Sequence, residues 1–233
     1  MEKSNLKVLK IKDPEKLIIK PFPEVLPNPY NSLLLVIGAV KSGKSTLLSN
    51  LFLNPIFYGS DFFDKVMVIS NSILNDPNMR FMKDTFEYKS EYTDGDIKQI
   101  IASQKKYGSK ENMPLMALIA DDILSTGFKK NNELSFLASR FRHYNIFYTI
   151  TTQNFRALSP IIRSNATSVI ITRQSNDNEK SKIVEEYAPM YNGEKKFLEL
   201  YDQAINYEPY SFLYLKLDEN PAQAYISFIK RIM

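Results

Sequence analysis

The chain has 233 residues, 44% of them hydrophobic, with no cysteine, one histidine and a formal net charge of +4. That length fits one large domain, or one domain with a small extension, and it can bury a sizeable core. The missing cysteines exclude disulfides, thiolate zinc sites and a cysteine nucleophile, and His143 alone cannot build a multi-histidine centre, so hard, oxygen-ligated metals remain, magnesium foremost. The weakly basic balance permits nucleic-acid binding without demanding it. No apolar run approaches the roughly 20 residues that cross a bilayer. Met1 to Lys20 carries lysines but no apolar stretch like that of a signal peptide, which reads as an intracellular, soluble protein with no membrane contact.

Residues 1-30 stand apart. Lys3, Lys7, Lys10, Lys12, Lys16 and Lys20 recur among Val8, Ile11, Leu17 and Ile19. Pro21, Pro23, Pro27 and Pro29 then block regular structure. This reads as a solvated edge strand or arm with an extended lead-in, an arm touching DNA or a neighbouring subunit being the other reading; the main domain is expected over 31-233. From Ser32 strands and helices alternate. Leu33 to Ile37 is a continuous apolar run suited to a strand buried on both faces. Lys44 to Leu53 predicts a helix, and Lys65 to Ser70 a second strand. Residues 76-107 read as two helices around a Thr93-Asp94-Gly95 turn. Strands follow at Leu115 to Ala120, Ile146 to Thr151 and Ser168 to Thr172, with helices at Asn132 to Arg142 and Asn178 to Tyr187. Ser211 to Lys216 and Ala222 to Phe228 read as closing strands. The alternation predicts an α/β fold with a largely parallel sheet covered on both faces.

Between the first strand and its helix lies Gly38-Ala39-Val40-Lys41-Ser42-Gly43-Lys44-Ser45, followed by Thr46. A Gly-x-x-x-x-Gly-Lys-Ser segment in that place is a phosphate loop. Glycines let backbone N–H groups turn inward on a phosphate, and the helix adds the positive end of its dipole. Lys44 is expected to reach the β- and γ-phosphates, and the Ser45 hydroxyl to complete a magnesium shell.

A nucleotide hydrolase of this kind needs a carboxylate at the end of a neighbouring strand. Asp121 and Asp122 fall just past the apolar run that begins at Leu115, on the side where open α/β sheets bind ligands. Asp121 is the candidate magnesium residue. Asp122 is the candidate that polarises attacking water, unless it caps the next helix. The chain has no guanine-reading Asn-Lys-x-Asp, which favours adenine. The fourth strand ends in Thr151-Thr152-Gln153, placing Gln153 to sense the γ-phosphate or the attacking water. Arg142 and Arg163 are candidates to neutralise transition-state charge, in trans if the chain forms a ring, or else packing arginines.

The loop, the Asp121-Asp122 strand, Arg142-His143 leading into Ile146, the Thr151-Thr152-Gln153 strand end and Arg163-Ser164-Asn165-Ala166-Thr167 together resemble the poxvirus-type genome-packaging ATPases of large DNA viruses and virophages, in the FtsK–HerA superfamily. The resemblance covers roughly residues 32-175. It implies a RecA-like P-loop NTPase core of the ASCE class, with ATP and magnesium (Mg2+) as its nucleotide and metal. It also implies a homo-oligomeric ring, pentamer or hexamer, around double-stranded DNA, contact with capsid vertex proteins, and action at viral assembly sites in the host cytoplasm or association with the virion. Lys44, Ser45, Asp121, Asp122 and Gln153 carry over as the ATP site. Relatives in bacteria usually have Asp-Glu where this chain has Asp-Asp. Lys105, Lys106, Lys110, Lys129 and Lys130 could face a central channel or be solvated surface. Another DNA pump or helicase of the superfamily, a nucleotide kinase, and an ATP-dependent assembly factor without turnover stay open as alternatives.

Overall fold

The computed structural model describes residues 19–123 and 133–233. The arm lysines before residue 19, and Lys129 and Lys130, lie outside the described residues. The architecture is a nine-stranded sheet with helices on both faces. The strands are β1 (Leu33–Ile37), β2 (Lys65–Ser70), β3 (Glu87–Lys89), β4 (Met116–Asp121), β5 (Ile146–Thr152), β6 (Ser168–Ile171), β7 (Leu213–Lys216), β8 (Gln223–Ile226) and β9 (Lys230–Arg231). Their order across the sheet is β3-β2-β4-β5-β1-β6-β7-β8-β9. All pairings from β3 to β6 are parallel, and those from β6 through β9 are antiparallel.

The apolar runs behave as double-sided strands. Leu33, Leu35 and Ile37 of β1 enter one core, and Leu34 and Val36 enter the other. In β5, Ile146, Tyr148 and Ile150 face the first core while Phe147 faces the second. Alternate residues point to opposite faces, so continuous hydrophobicity is what a sheet covered on both sides requires. Helix α1 (Lys44–Leu53) seats Leu48, Leu51 and Phe52 in the second core. There Phe147 stacks on Phe63 at 5.5 Å. The short α2 (Arg80–Thr85) adds Met82 to the same side. The first core is roofed by α3 (Asp94–Lys105), α4 (Glu133–Ala138), α5 (Pro160–Asn165), α6 (Asp177–Tyr187) and α7 (Glu194–Ile205).

The lead-in packs on the domain. Leu26 and Tyr30 are buried in the second core. Tyr58 Oη donates to Pro27 O, and Lys20 Nζ pairs with Asp64 at 2.9 Å. Several elements differ from the sequence expectation. The Thr93-Asp94-Gly95 segment is not a turn between helices. Thr93 is the N-cap of α3, in a capping box with Asp96, and β3 occupies the space before it. The helix expected to run to Arg142 stops at Ala138 and is followed by a separate 3-10 turn at Phe141–Tyr144. Helices α5 and α7 and strand β9 were not expected.

Candidate nucleotide site

The order β4-β5-β1 puts one strand between the strand that carries the phosphate loop and the strand that carries the acids. Because all three are parallel, their carboxyl ends reach the same edge. Register fixes the neighbours: Ile37 pairs with Thr152, and Asp121 with Thr151.

The loop is anchored on both sides. Gly38 N donates to Thr152 O at 3.1 Å, and Ala39 N to Arg173 O at 3.2 Å. Close approach explains Gly38: a Cβ there would lie 1.6 Å from Thr172 Oγ1 and 2.6 Å from Ser42 Oγ. Backbone conformation explains Gly43, whose φ of 93° is left-handed and which caps the N-terminus of α1. Lys44 Nζ donates to Gly38 O and Ala39 O, both at 2.8 Å, so its ammonium sits within the curl of the loop. Burial pushes the Lys44 pKa down, opposed by the charges of Asp122 and Asp121.

The two acids differ in setting. Asp121 is 3% exposed and held at both oxygens: Thr151 Oγ1 donates to Oδ1 at 2.5 Å and Ser70 Oγ to Oδ2 at 2.8 Å. Asp122 turns out of the strand with a φ of 49°, a left-handed conformation that Asp tolerates better than most residues. Its backbone N–H donates to Thr151 O and Thr151 Oγ1, so one threonine ties both acids to β5. Gln153 Nε2 donates to Asp122 Oδ2 at 2.6 Å. Burial and the neighbouring Asp121 raise the Asp122 pKa, and the Gln153 hydrogen bond and Lys44 oppose that rise.

Lys44, Ser45, Thr46, Asp121, Asp122 and Gln153 line one cavity of about 590 Å³, together with Val40, Lys41, Ser42 and Gly43. Ser72, Asp76 and Asn78, beyond the end of β2, form its far wall. The two expected arginines are not there. Arg142 is exposed beside the start of β5, and seven strand residues, roughly 20 Å of extended chain, separate that end from Gln153. Arg163 is committed to packing: its Nε pairs with Glu186 at 3.0 Å, Nη1 donates to Leu158 O, and its guanidinium lies over the Phe155 ring. The structure thus brings neither to the cradle of its own chain. Sequence reasoning gave no role to Ser70, Thr151 or Tyr210. The first two are polar ends of buried strands, and strand order would have found them. Tyr210 borders the cavity from a turn with no sequence signal.

A phosphate loop on β1, an intervening β5 and an acid-bearing β4 define an ASCE-class P-loop NTPase. The chain belongs to the family of the uncharacterized protein 075L of Invertebrate iridescent virus 6: the two are 32% identical over 193 residues, 76% of this chain and 70% of that protein. It is also 27% identical to the uncharacterized protein 088R of Invertebrate iridescent virus 3, over 89% of this chain and 78% of that one. No family model matches the chain. Among solved structures, the genome packaging NTPase B204 from Sulfolobus turreted icosahedral virus 2 in complex with AMP superposes with a TM-score of 0.60 at 16% identity, covering 86% of this chain and 99% of that one. Its complex with ATP-gammaS gives 0.58 at 18% identity, over 87% and 100%. The cytoplasmic domain of EssC gives 0.54 at 12% identity, over 67% of this chain and 35% of that one. The α/β P-loop fold expected from the motifs is therefore the fold found, and B204 shares it. No helix among the described residues is long and apolar enough to cross a membrane.

Proposed function

We propose that this chain is an ATP-driven double-stranded DNA translocase that packages a viral genome into a preformed capsid. The observation that carries the ATPase half is the convergence of Lys44, Asp121, Asp122 and Gln153 on one cavity. The packaging half is supported by the fold of B204 and by the viral relatives.

The cradle would hold the β- and γ-phosphates through the loop N–H groups, the N-terminus of α1 and the Lys44 ammonium. Asp122 would take a proton from a water attacking the γ-phosphorus as the bond to the bridging oxygen breaks. Gln153, bound to Asp122 Oδ2, keeps that carboxylate aimed. The donor set fits magnesium: Ser45 and Asp121 offer hard oxygens on the wall of the same cavity. A magnesium ion held by these two side chains and the substrate phosphates would neutralise charge on the phosphoryl oxygens. In a ring, a guanidinium would come from a neighbouring chain, and exposed Arg142 is the better placed of the two candidates. Exposed Lys105 and Lys106, at the end of α3, are candidate phosphate contacts for DNA.

Steady-state hydrolysis with and without long double-stranded DNA, at low and moderate salt, tests the reading. Turnover should be abolished by Lys44→Ala and stimulated by DNA, and the stimulation should fall steeply as salt rises. Turnover indifferent to DNA of any length would sink the motor and favour a kinase. Tight MgATP binding without turnover would favour an assembly factor.

A further inference from the structure

A second cavity, of about 570 Å³, adjoins the phosphate loop, sharing Ser42, Gly43, Thr46 and Tyr210 with the first. Its walls are largely apolar. Leu47 and Asn50 on α1 form one side, and Phe57, Phe212, Phe228 and Ile229 form the others. A triphosphate whose γ end lies at Asp121 and Asp122 must send its nucleoside end elsewhere, and this cavity is continuous with the cradle at Gly43 and Thr46. A third cavity meets the loop only at Lys41 and Ser42 and carries Arg173 and Glu208, a charged setting that suits a base poorly.

Tyr210 is the unexplained residue at this junction. It is 75% exposed, so packing does not account for it, yet it holds a left-handed φ of 65°. Its ring covers Gly43, where a Cβ would come within 3.3 Å of Tyr210 Cδ1. Strained exposed side chains of this kind collect at ligand clamps. The wall has little with which to read a base edge. Asn50 is engaged along its own helix, with Nδ2 donating to Thr46 O at 2.9 Å and Oδ1 accepting from Asn54 Nδ2 at 3.4 Å. The hydroxyls of Thr46 and Ser227 can donate or accept, so they serve the 6-amino group of adenine and the 6-oxo group of guanine equally.

We propose that this cavity takes the purine base of the nucleotide, with Tyr210 as its stacking face, and that it accepts adenine and guanine alike. The inference rests on the reading of the loop as a triphosphate cradle. It replaces the expectation of adenine preference, because shape and stacking select the ring, while the wall's one amide is held along α1 and its hydroxyls can both donate and accept. Pyrimidines, with less stacking area, bind more weakly.

Calorimetric binding of MgADP, MgGDP, MgCDP and magnesium tripolyphosphate to the whole chain tests this without requiring turnover. MgADP and MgGDP should bind within about threefold of each other, and MgCDP about tenfold more weakly, as stacking differences allow. Tyr210→Ala should weaken both purine nucleotides about tenfold and leave tripolyphosphate unchanged, while Tyr210→Phe keeps wild-type affinity. Discrimination between MgADP and MgGDP above about a hundredfold would mean edge reading and would overturn the proposal. So would equal losses for nucleotide and tripolyphosphate in Tyr210→Ala, or no loss at all. If tripolyphosphate fails to bind the wild type, the cradle reading itself falls and takes this one with it. If it binds and Tyr210 is indifferent, only the base pocket falls.

Discussion

Asp122 holds its charge against burial and against Asp121, and both raise its pKa above the ordinary 3.8. A carboxylate whose folded pKa exceeds its unfolded value binds protons more readily in the folded chain, so its contribution to stability declines as pH rises from the unfolded value through the folded one. Asp122→Asn removes that liability while keeping the shape. By scanning calorimetry at pH 7 the variant should melt no lower than the wild type, while ATP turnover falls about a hundredfold or more with binding retained, as loss of a general base requires. A lower melting temperature would mean the carboxylate serves the fold instead. The same reasoning fixes a pH profile. The acid limb of kcat/KM, which reports the free protein, should lie above 3.8. Because the Gln153 hydrogen bond lowers the Asp122 pKa, Gln153→Ala should move that limb further up. A limb that stays in place would separate Gln153 from the base.

At the level of elements, the loop after β1 takes its shape where three strand ends meet at one edge, and Gly38 is where they crowd. An alanine there would drive its methyl into Thr172 Oγ1 and Ser42 Oγ. Overpacking of this kind costs about 1–3 kcal/mol. Gly38→Ala should lose that stability in a urea titration and lose nucleotide binding with it, and Thr172→Ala in the same chain should recover part of the stability. A wild-type midpoint for Gly38→Ala would show that the loop can shift away freely. The loop and its acids were legible in the sequence because each obeys a local rule: glycines where backbone must turn, acids just past a buried apolar run. The double-sided strands were legible for the same reason, and β2 and α1 fall where their patterns ended. What local pattern could not give was partnership across the sheet. Ser70 and Thr151 matter because β2 and β5 flank β4, and strand order is a property of the whole chain. Thr93-Asp94-Gly95 was misread because cap residues and turn residues share a composition. The Asp96 side chain, three positions beyond Thr93, was the signal for a helix start. Helix α7 lacks an N-cap side chain, so its start carried no such signal.

The whole molecule ties the site to both cores. The strand that ends in the loop contributes Leu33, Leu35 and Ile37 to one core and Leu34 and Val36 to the other. The helix that follows the loop is seated on the aromatic cluster, where Phe52 meets Phe147 at 6.0 Å and Phe63 at 5.6 Å. Ligand held by the cradle should therefore stabilise the fold as a unit. Saturation at a hundred times Kd is worth about 2.7 kcal/mol. In a domain of this size about 1 kcal/mol moves the melting temperature by roughly 2–4 °C, so MgADP should raise it by roughly 5–10 °C. Lys44→Ala should abolish the rise at the same ligand concentration without lowering the ligand-free melting temperature, because a buried ammonium is itself a burden on the fold. Phe147→Ala makes the complementary test, since emptying a fully buried ring site costs about 3–5 kcal/mol and lies away from the cradle. If sheet and helix melt together, Phe147→Ala should lower the baseline and keep the whole ligand-induced rise. A folded Phe147→Ala chain that no longer responds to MgADP would mean that the aromatic cluster sets the seat of α1, and that the phosphate loop takes its geometry from the core beneath it rather than from its own glycines.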